Sequence, residues 1–193
     1  MTLRVHPDEI VFANPNGVLA IHPTWGRVRL GQVADVLNGF PFPSSSFSPA
    51  GEIPLIRIRD VGQSGTVTWY SGAYNDAYMV EPGSLIIGMD GDFRVDRWHG
   101  PRALLNQRVC KLTVRNASLY SESFLRWVLP GYLDAVHRET SSVTVKHLSS
   151  ETIKELPIPL PPAQNRSGLL QPLRSSSPVS MPESQHSNGC VRS

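Results

Sequence analysis

The feature that most constrains this chain is a change in the period of its apolar residues near position 120. Before it, hydrophobic residues come in short alternating or continuous runs; from Ser121 onward they recur at three- and four-residue spacing. A period of two suits strands and a period near 3.6 suits a helix, so a single stretch carrying both must fold as a mixed α/β (α+β) structure. Pro54–Asp60 alternates, which predicts a strand with Leu55, Arg57 and Arg59 on one side and Ile56 and Ile58 on the other. Val67–Tyr70 reads as a second short strand, Met79–Met89 as a Pro-Gly turn feeding a buried strand, and Ala103–Val114 as one long strand. Leu30–Leu37 carries Leu30, Val33, Ala34 and Leu37 on one helical face, with Gly39 as the stop. Beyond Ser121, Phe124, Leu125, Val128, Leu129, Leu133 and Val136 form one stripe, and Pro130 is expected to kink or split that helix. Ser149–Glu155 reads as a short capped helix, and Ile158 and Leu160 lie in an extended, edge-like segment between prolines.

Three zones follow. Residues 1–24 read as an irregular leader with Pro7, Pro15 and Pro23 and an Asn-Pro-Asn-Gly turn at 14–17. Residues 25–162 form the globular part. Residues 163–193 hold eight serines and three prolines without periodicity, which predicts a disordered tail. A hydrophobic share of 40% over 193 residues is enough for a core and excludes a wholly disordered chain. No apolar run approaches the roughly 18 residues of a membrane span, and the N-terminus has no continuous apolar segment of the secretory type. Two cysteines, Cys110 and Cys190, make no disulfide framework, so the cytoplasm is the expected compartment. The net charge of +2 neither demands nor excludes a nucleic-acid partner. The cations are lopsided, fifteen arginines to three lysines, which fits either codon bias or the bidentate chemistry of guanidinium with guanine and phosphate.

Chemistry-bearing residues concentrate in three places. Asp90, Asp92 and Asp96 alternate after a buried strand. They could form the acid cluster of a small metal-dependent nuclease, a polar turn around Gly91, or a recognition loop presenting Arg94 and Arg97. A calcium loop is disfavoured, because the glycine at the sixth position and the closing glutamate at the twelfth are missing. Ser141–His147 gathers hydroxyls and the cations Lys146 and His147, and reads either as a linker strand or as groups for phosphates and base edges. Asn106, Gln107 and Arg108 stand together on the long strand, where Asn and Gln suit adenine and Arg suits guanine. The histidines have no metal-ligand spacing, and nucleophile elbows, Walker loops and dinucleotide-binding glycine patterns are missing, so neither a cofactor nor a metal is expected.

Six segments in order carry a resemblance: Leu30-Gly-Gln-Val-Ala-Asp-Val with Asn38-Gly-Phe-Pro-Phe; Ile53-Pro-Leu-Ile-Arg-Ile-Arg-Asp-Val; Val80 to Phe93; Ala103-Leu-Leu-Asn-Gln-Arg-Val-Cys; Glu139 to Ser150; and Leu156-Pro-Ile-Pro-Leu-Pro-Pro. Together they make Trp25–Pro162 resemble a target recognition domain from the specificity subunit of Type I restriction–modification enzymes. The resemblance implies a single domain with a twisted, mostly antiparallel sheet and a few helices. It also implies a non-catalytic reader of one half of a split site in double-stranded DNA, with methyltransferase and restriction subunits as partners. On this reading the DNA-facing set is Arg57, Arg59, Asp92, Arg94, Asn106, Arg108, Ser142, Thr144 and Lys146, with further specificity in the stretches around 62–78 and 94–102.

One departure stands out. In the family, the Pro-Ile-Pro-Leu-Pro-Pro segment leads through a Glu-Gln step into a long helix; here it runs into Ala163-Gln-Asn-Arg166 and the serine-rich tail. The expectation is a chain truncated or frameshifted before that helix, binding DNA weakly as a lone domain. Half-subunit dimers and methyltransferase docking, which use the helix, would be weakened. The alternative roles are a non-functional or regulatory protein-binding fragment and the metal-dependent nuclease.

Overall fold

The computed structural model describes residues 6–13, 19–139 and 147–162. Helix α1 (Pro7–Phe12) falls inside the expected irregular leader. Pro7 occupies its first turn, where a missing N–H costs nothing, and the His6 side chain accepts from the Asp8 N–H. Ile10 and Val11 join the main core, and Arg29 grips the Asp8 carboxylate through both terminal nitrogens at 2.6 and 2.5 Å. This part of the leader is therefore built into the domain. The turn at 14–17 and the tail at 163–193 lie outside the described residues.

Strand β1 (Gly26–Arg29) leads into a single helical turn, α2 (Leu30–Val33), and then strand β2 (Ala34–Asn38). The helix expected over Leu30–Leu37 thus ends halfway. Ala34 takes an extended backbone (φ −140°, ψ 148°), and Ala34–Asn38 pair with β10 (Val109–Val114). A complete ladder outweighs about one more turn of a helix that is costly to nucleate. Next come β3 (Phe47–Ser48) and β4 (Ile53–Ile56). The strand expected to Asp60 stops at Ile56, because a 3-10 turn over Ile58–Asp60 takes over, with the Asp60 carboxylate accepting from the Arg57 N–H at 2.8 Å. Leu55 and Ile56 are both fully buried, so the strand has no polar face.

Strands β5 (Trp69–Tyr70), β6 (Met79–Val80), β7 (Leu85–Gly88), β8 (Val95–Arg97) and β9 (Ala103–Leu105) precede β10. The Pro-Gly turn before β7 is present, with Gly83 at φ +87°. The long strand expected over Ala103–Val114 is broken at 106–108, and its halves, β9 and β10, belong to different sheets. One sheet has the order β3-β5-β4-β9-β6, with β4 and β9 parallel and the other pairs antiparallel. The second, β2-β10-β7-β8, is wholly antiparallel. β1 pairs with β11 (Pro157–Leu160) in a two-stranded ribbon, in line with the edge-like reading of that segment.

Helix α3 (Glu122–Glu139) runs unbroken through Pro130. Pro130 lies on the exposed side, where water can satisfy the Arg126 carbonyl that loses its helical donor. Helix α4 (Ser150–Glu155) is capped as expected by Ser149, whose hydroxyl accepts from the Thr152 N–H. Among the described residues no helix is long and apolar enough to cross a membrane.

The period-two pattern of β7 explains the layering. Leu85 and Ile87 face the main core with Leu125, Leu129 and Leu133 of α3, while Ile86 points the other way. There Ile86, Val109 and Trp98 meet Ile56, Val80 and Leu105 of the five-stranded sheet in an inter-sheet seam. Beyond that sheet, Leu55 and Leu104 pack with Phe42, Tyr70 and Met79. The chain crosses the seam at Gly39, whose N–H donates to the Val109 carbonyl, and at Phe40, whose N–H donates to that of Leu105.

Candidate nucleic-acid interface

Three segments distant in sequence meet at one end of the seam. The first is the β7–β8 loop, closed by the Gly88 N–H donating to the Arg94 carbonyl at 2.8 Å. Gly91 (φ +70°) and Phe93 (φ +48°) both adopt left-handed backbone there. Phe93 buries its ring in the main core, edge-on to His137, so Asp92 and Arg94 on either side of it are left exposed. The second is the 106–108 turn, where Arg108 sits at φ +72°, a conformation that costs a non-glycine residue about 1–2 kcal/mol. The third begins at His147. Main-chain groups of Met89 join all three: its N–H donates to the Arg108 carbonyl at 2.8 Å, and its carbonyl accepts from the Leu148 N–H at 2.7 Å.

Asp90 sits at the centre of this junction. One carboxylate oxygen lies 3.0 Å from Arg108 Nε and the other 2.6 Å from His147 Nδ1. Beside it opens a cleft of about 470 Å³ lined by Ile58, Arg59, Gly88, Asp90, Gly91, Asp92 and Arg94. A second hollow of about 320 Å³ shares Asp92 and Arg94 and runs towards Pro130 and Asp134 of α3. The cleft therefore combines two guanidinium groups and two carboxylates with the Ile58 side chain, a set of donors and acceptors that suits a polar ligand.

The residues singled out from the sequence separate into groups. Arg59, Asp92 and Arg94 share the cleft, and Arg108 adjoins it through Asp90. Arg59 is exposed, with one terminal nitrogen donating to Thr68 Oγ1 at 3.0 Å. Arg94 makes a loose 3.5 Å pair with Asp92. Arg57 is not beside Arg59 as strand alternation required: the 3-10 turn parts them, and the Arg57 guanidinium stacks over the Phe47 ring at 5.8 Å. Asn106 is 7% exposed at the junction of the sheets, and its backbone N–H donates to the Ile56 carbonyl. Among the described residues its buried Oδ1 has no hydrogen-bond partner. Arg97 is structural, its guanidinium bonded to the Gly83 carbonyl and Ser123 Oγ. Ser142, Thr144 and Lys146 lie outside the described residues. The sequence leaves Asp90 open to an acid cluster, a polar turn or a recognition loop and puts His147 outside the DNA-facing set; nothing in the local pattern signals that the two touch across 57 positions.

The three aspartates do not form a metal site. Asp90 pairs with Arg108 and His147, Asp92 with Arg94, and Asp96 with Arg126 and His99. Among the described residues no group of three acidic, histidine or cysteine side chains could hold a metal ion. Asp96 fastens α3 to β8. Burial works against its ionisation, but the hydrogen bond from Arg126 at 2.7 Å and the Arg97 N–H outweigh it and hold the carboxyl below its ordinary value. A depressed carboxylate stabilises the fold fully above the unfolded value of 3.8 and loses that contribution as pH falls through the folded one. Acid unfolding monitored by circular dichroism should therefore steepen below about pH 4. Asp96→Asn should flatten that limb, and an unchanged acid limb would assign it to other groups.

The model of the family described as the Type I restriction modification DNA specificity domain matches residues 23–170. The Type I restriction enzyme EcoBI specificity subunit of Escherichia coli is 48% identical over 163 residues, which cover 84% of this chain and 34% of that protein. The HsdS subunit from Thermoanaerobacter tengcongensis shares the fold at a TM-score of 0.55 and 20% identity, covering 85% of this chain and 40% of that one. The Type I restriction–modification S subunit from M. genitalium superposes with a TM-score of 0.55 at 13% identity, over 79% of this chain and 39% of that one. The chain thus spans about a third of the curated relative and two-fifths of the solved subunits. Since the matched region takes in every strand and helix from β1 to β11, this chain belongs to the Type I restriction modification DNA specificity domain family.

Proposed function

We propose that this domain reads one half of a bipartite double-stranded DNA site for a Type I restriction–modification system and catalyses no reaction itself. The observation that carries this reading is an open cleft lined by Arg59 and Arg94 from separate segments, with Arg108 and His147 held beside it through Asp90. Exposed guanidinium groups on a rigid frame provide the two elements of sequence-specific recognition, phosphate clamps that set register and donors that meet base edges. Counting Arg108 beside it, the cleft sets three guanidinium groups against the Asp90 and Asp92 carboxylates, a small local excess that a sequence reader can use at a net charge of only +2. On this reading chemistry belongs to partner methyltransferase and restriction subunits in the cytoplasm, and a second recognition unit, from a second copy or elsewhere, supplies the other half-site.

The test is selection of bound DNA from a random duplex pool by the full chain at two salt concentrations. Enrichment of a motif a few base pairs long, with affinity falling as salt rises, is the expected result. Arg59→Ala and Arg94→Ala together should lower the slope of log affinity against log salt by about 2, at roughly 0.9 per phosphate contact. Salt-independent binding without an enriched motif would overturn the reading.

A further inference from the structure

We propose that Asp90 is a positioning residue that fixes Arg108 as a reader of guanine, with His147 locking Asp90 from its other side. The inference rests on the reading of the cleft as a DNA interface and concerns how that cleft selects a base.

Reading guanine through O6 and N7 takes two parallel N–H donors in one plane, so the guanidinium must be held in orientation while its outer edge stays open. Arg108 meets both conditions. Its backbone is held in the left-handed region, with its carbonyl tied to the Met89 N–H. Its Nε edge faces the Asp90 carboxylate at 3.0 Å, while its side chain remains 62% exposed. Asp90 is its ion-pair partner among the described residues, so both terminal nitrogens are left to meet a ligand. Asp90 is itself constrained: it is 14% exposed, its second oxygen is engaged by His147 at 2.6 Å, and its backbone bridges to that of His147. A guanidinium braced in this way has lost most of its rotamer freedom before DNA arrives, which favours directional readout over point-charge attraction.

The arginines that line the cleft lack this arrangement. Among the described residues Arg94 pairs with Asp92 at 3.5 Å, and both side chains are mostly exposed. Arg59 spends one terminal nitrogen on Thr68. Those two suit phosphates, where orientation matters less. A strained non-glycine backbone also points to Arg108, since such strain persists only where surrounding structure enforces it and clusters at functional positions.

The experiment uses the full chain and the duplex motif enriched from the random pool. Each guanine in that motif is replaced in turn by 7-deazaguanine, which removes the N7 acceptor and leaves pairing intact. The wild-type chain is expected to lose about tenfold to a hundredfold in affinity at one guanine. Arg108→Lys and Asp90→Asn should each abolish most of that discrimination, and Asp90→Glu should restore part of it. A purely structural role for Asp90 would instead lower binding to guanine and 7-deazaguanine duplexes alike, leaving their ratio unchanged. If Asp90→Asn does not fold, as judged by its melting curve, Arg108→Lys still decides the matter through the same ratio. Retained discrimination in the folded variants overturns the proposal, as does a motif in which no guanine is sensitive to the N7 deletion; both outcomes leave the DNA-reading function standing. Failure of the wild-type chain to enrich any motif removes that function and this inference together.

Discussion

Gly39→Ala is expected to destabilise the chain by about 3 kcal/mol or more. A Cβ built at this position would lie 2.1 Å from the Asn106 carbonyl oxygen, 2.4 Å from its carbon and 2.7 Å from the Leu105 oxygen. All three are backbone atoms in the join between β9 and the 106–108 turn, so no side chain can rotate away. The strain must be relieved by moving the crossing at Gly39–Phe40 away from Leu105, which breaks the Phe40-to-Leu105 and Gln107-to-Phe40 hydrogen bonds. A melting temperature lower by roughly 6–12 °C is the corresponding thermal result. A melting curve that matches wild type would mean that the sheets do not approach as closely at this crossing as described. Because the same crossing supports the turn that carries Arg108, DNA selectivity should fall with stability in this variant.

Trp98→Ala is the second large effect. Trp98 is 1% exposed and is the largest side chain in the inter-sheet seam, packed among Ile56, Val61, Ile86 and Leu105. Its indole N–H donates to the Pro101 carbonyl at 2.6 Å, and Gly100 leaves room for the ring where a Cβ would come within 2.3 Å of it. Truncation removes the transfer free energy of the ring, leaves a cavity between two sheets and removes the hydrogen bond to the Pro101 carbonyl. The expected cost is about 3–5 kcal/mol. Urea unfolding should show a lower midpoint at unchanged slope, since the surface exposed on unfolding hardly changes. Trp98→Phe keeps much of the volume and should recover a substantial part of the loss. Equal losses in the two variants would assign the effect to the indole hydrogen bond rather than to packing.

How far the fold was legible in the sequence follows from the range of the interactions that decide each element. Local chemistry settled the Pro-Gly turn before β7, the Ser149 cap of α4 and the apolar stripe of α3, because the groups that satisfy one another lie within a few residues. Long-range pairing settled the rest. Whether Ala34–Asn38 is helix or strand depends on β10, more than seventy positions away. Ala103–Val114 has unbroken strand character in composition, yet its halves pair with different partners, and nothing local marks the break except a residue, Arg108, that disfavours the backbone it adopts. The site divides in the same way. Arg59, Asp92 and Arg94, part of the set that the resemblance implies, do share a cleft, whereas Asn106 is buried at the junction of the sheets. For Asp90 the sequence leaves acid cluster, polar turn and recognition loop all open, because its arginine and histidine partners come from other segments.

The junction at Met89 has a consequence for how such a domain can change its target. The N–H and carbonyl that bind the three cleft segments together are present in almost every amino acid, so the join asks little of the side chains around it. Framework and vocabulary are thereby separated: on the proposed reading, side chains displayed around the cleft can be exchanged one at a time while the page that holds them keeps its shape. A domain wired through its main chain can acquire a new recognition sequence without first having to solve its folding problem again.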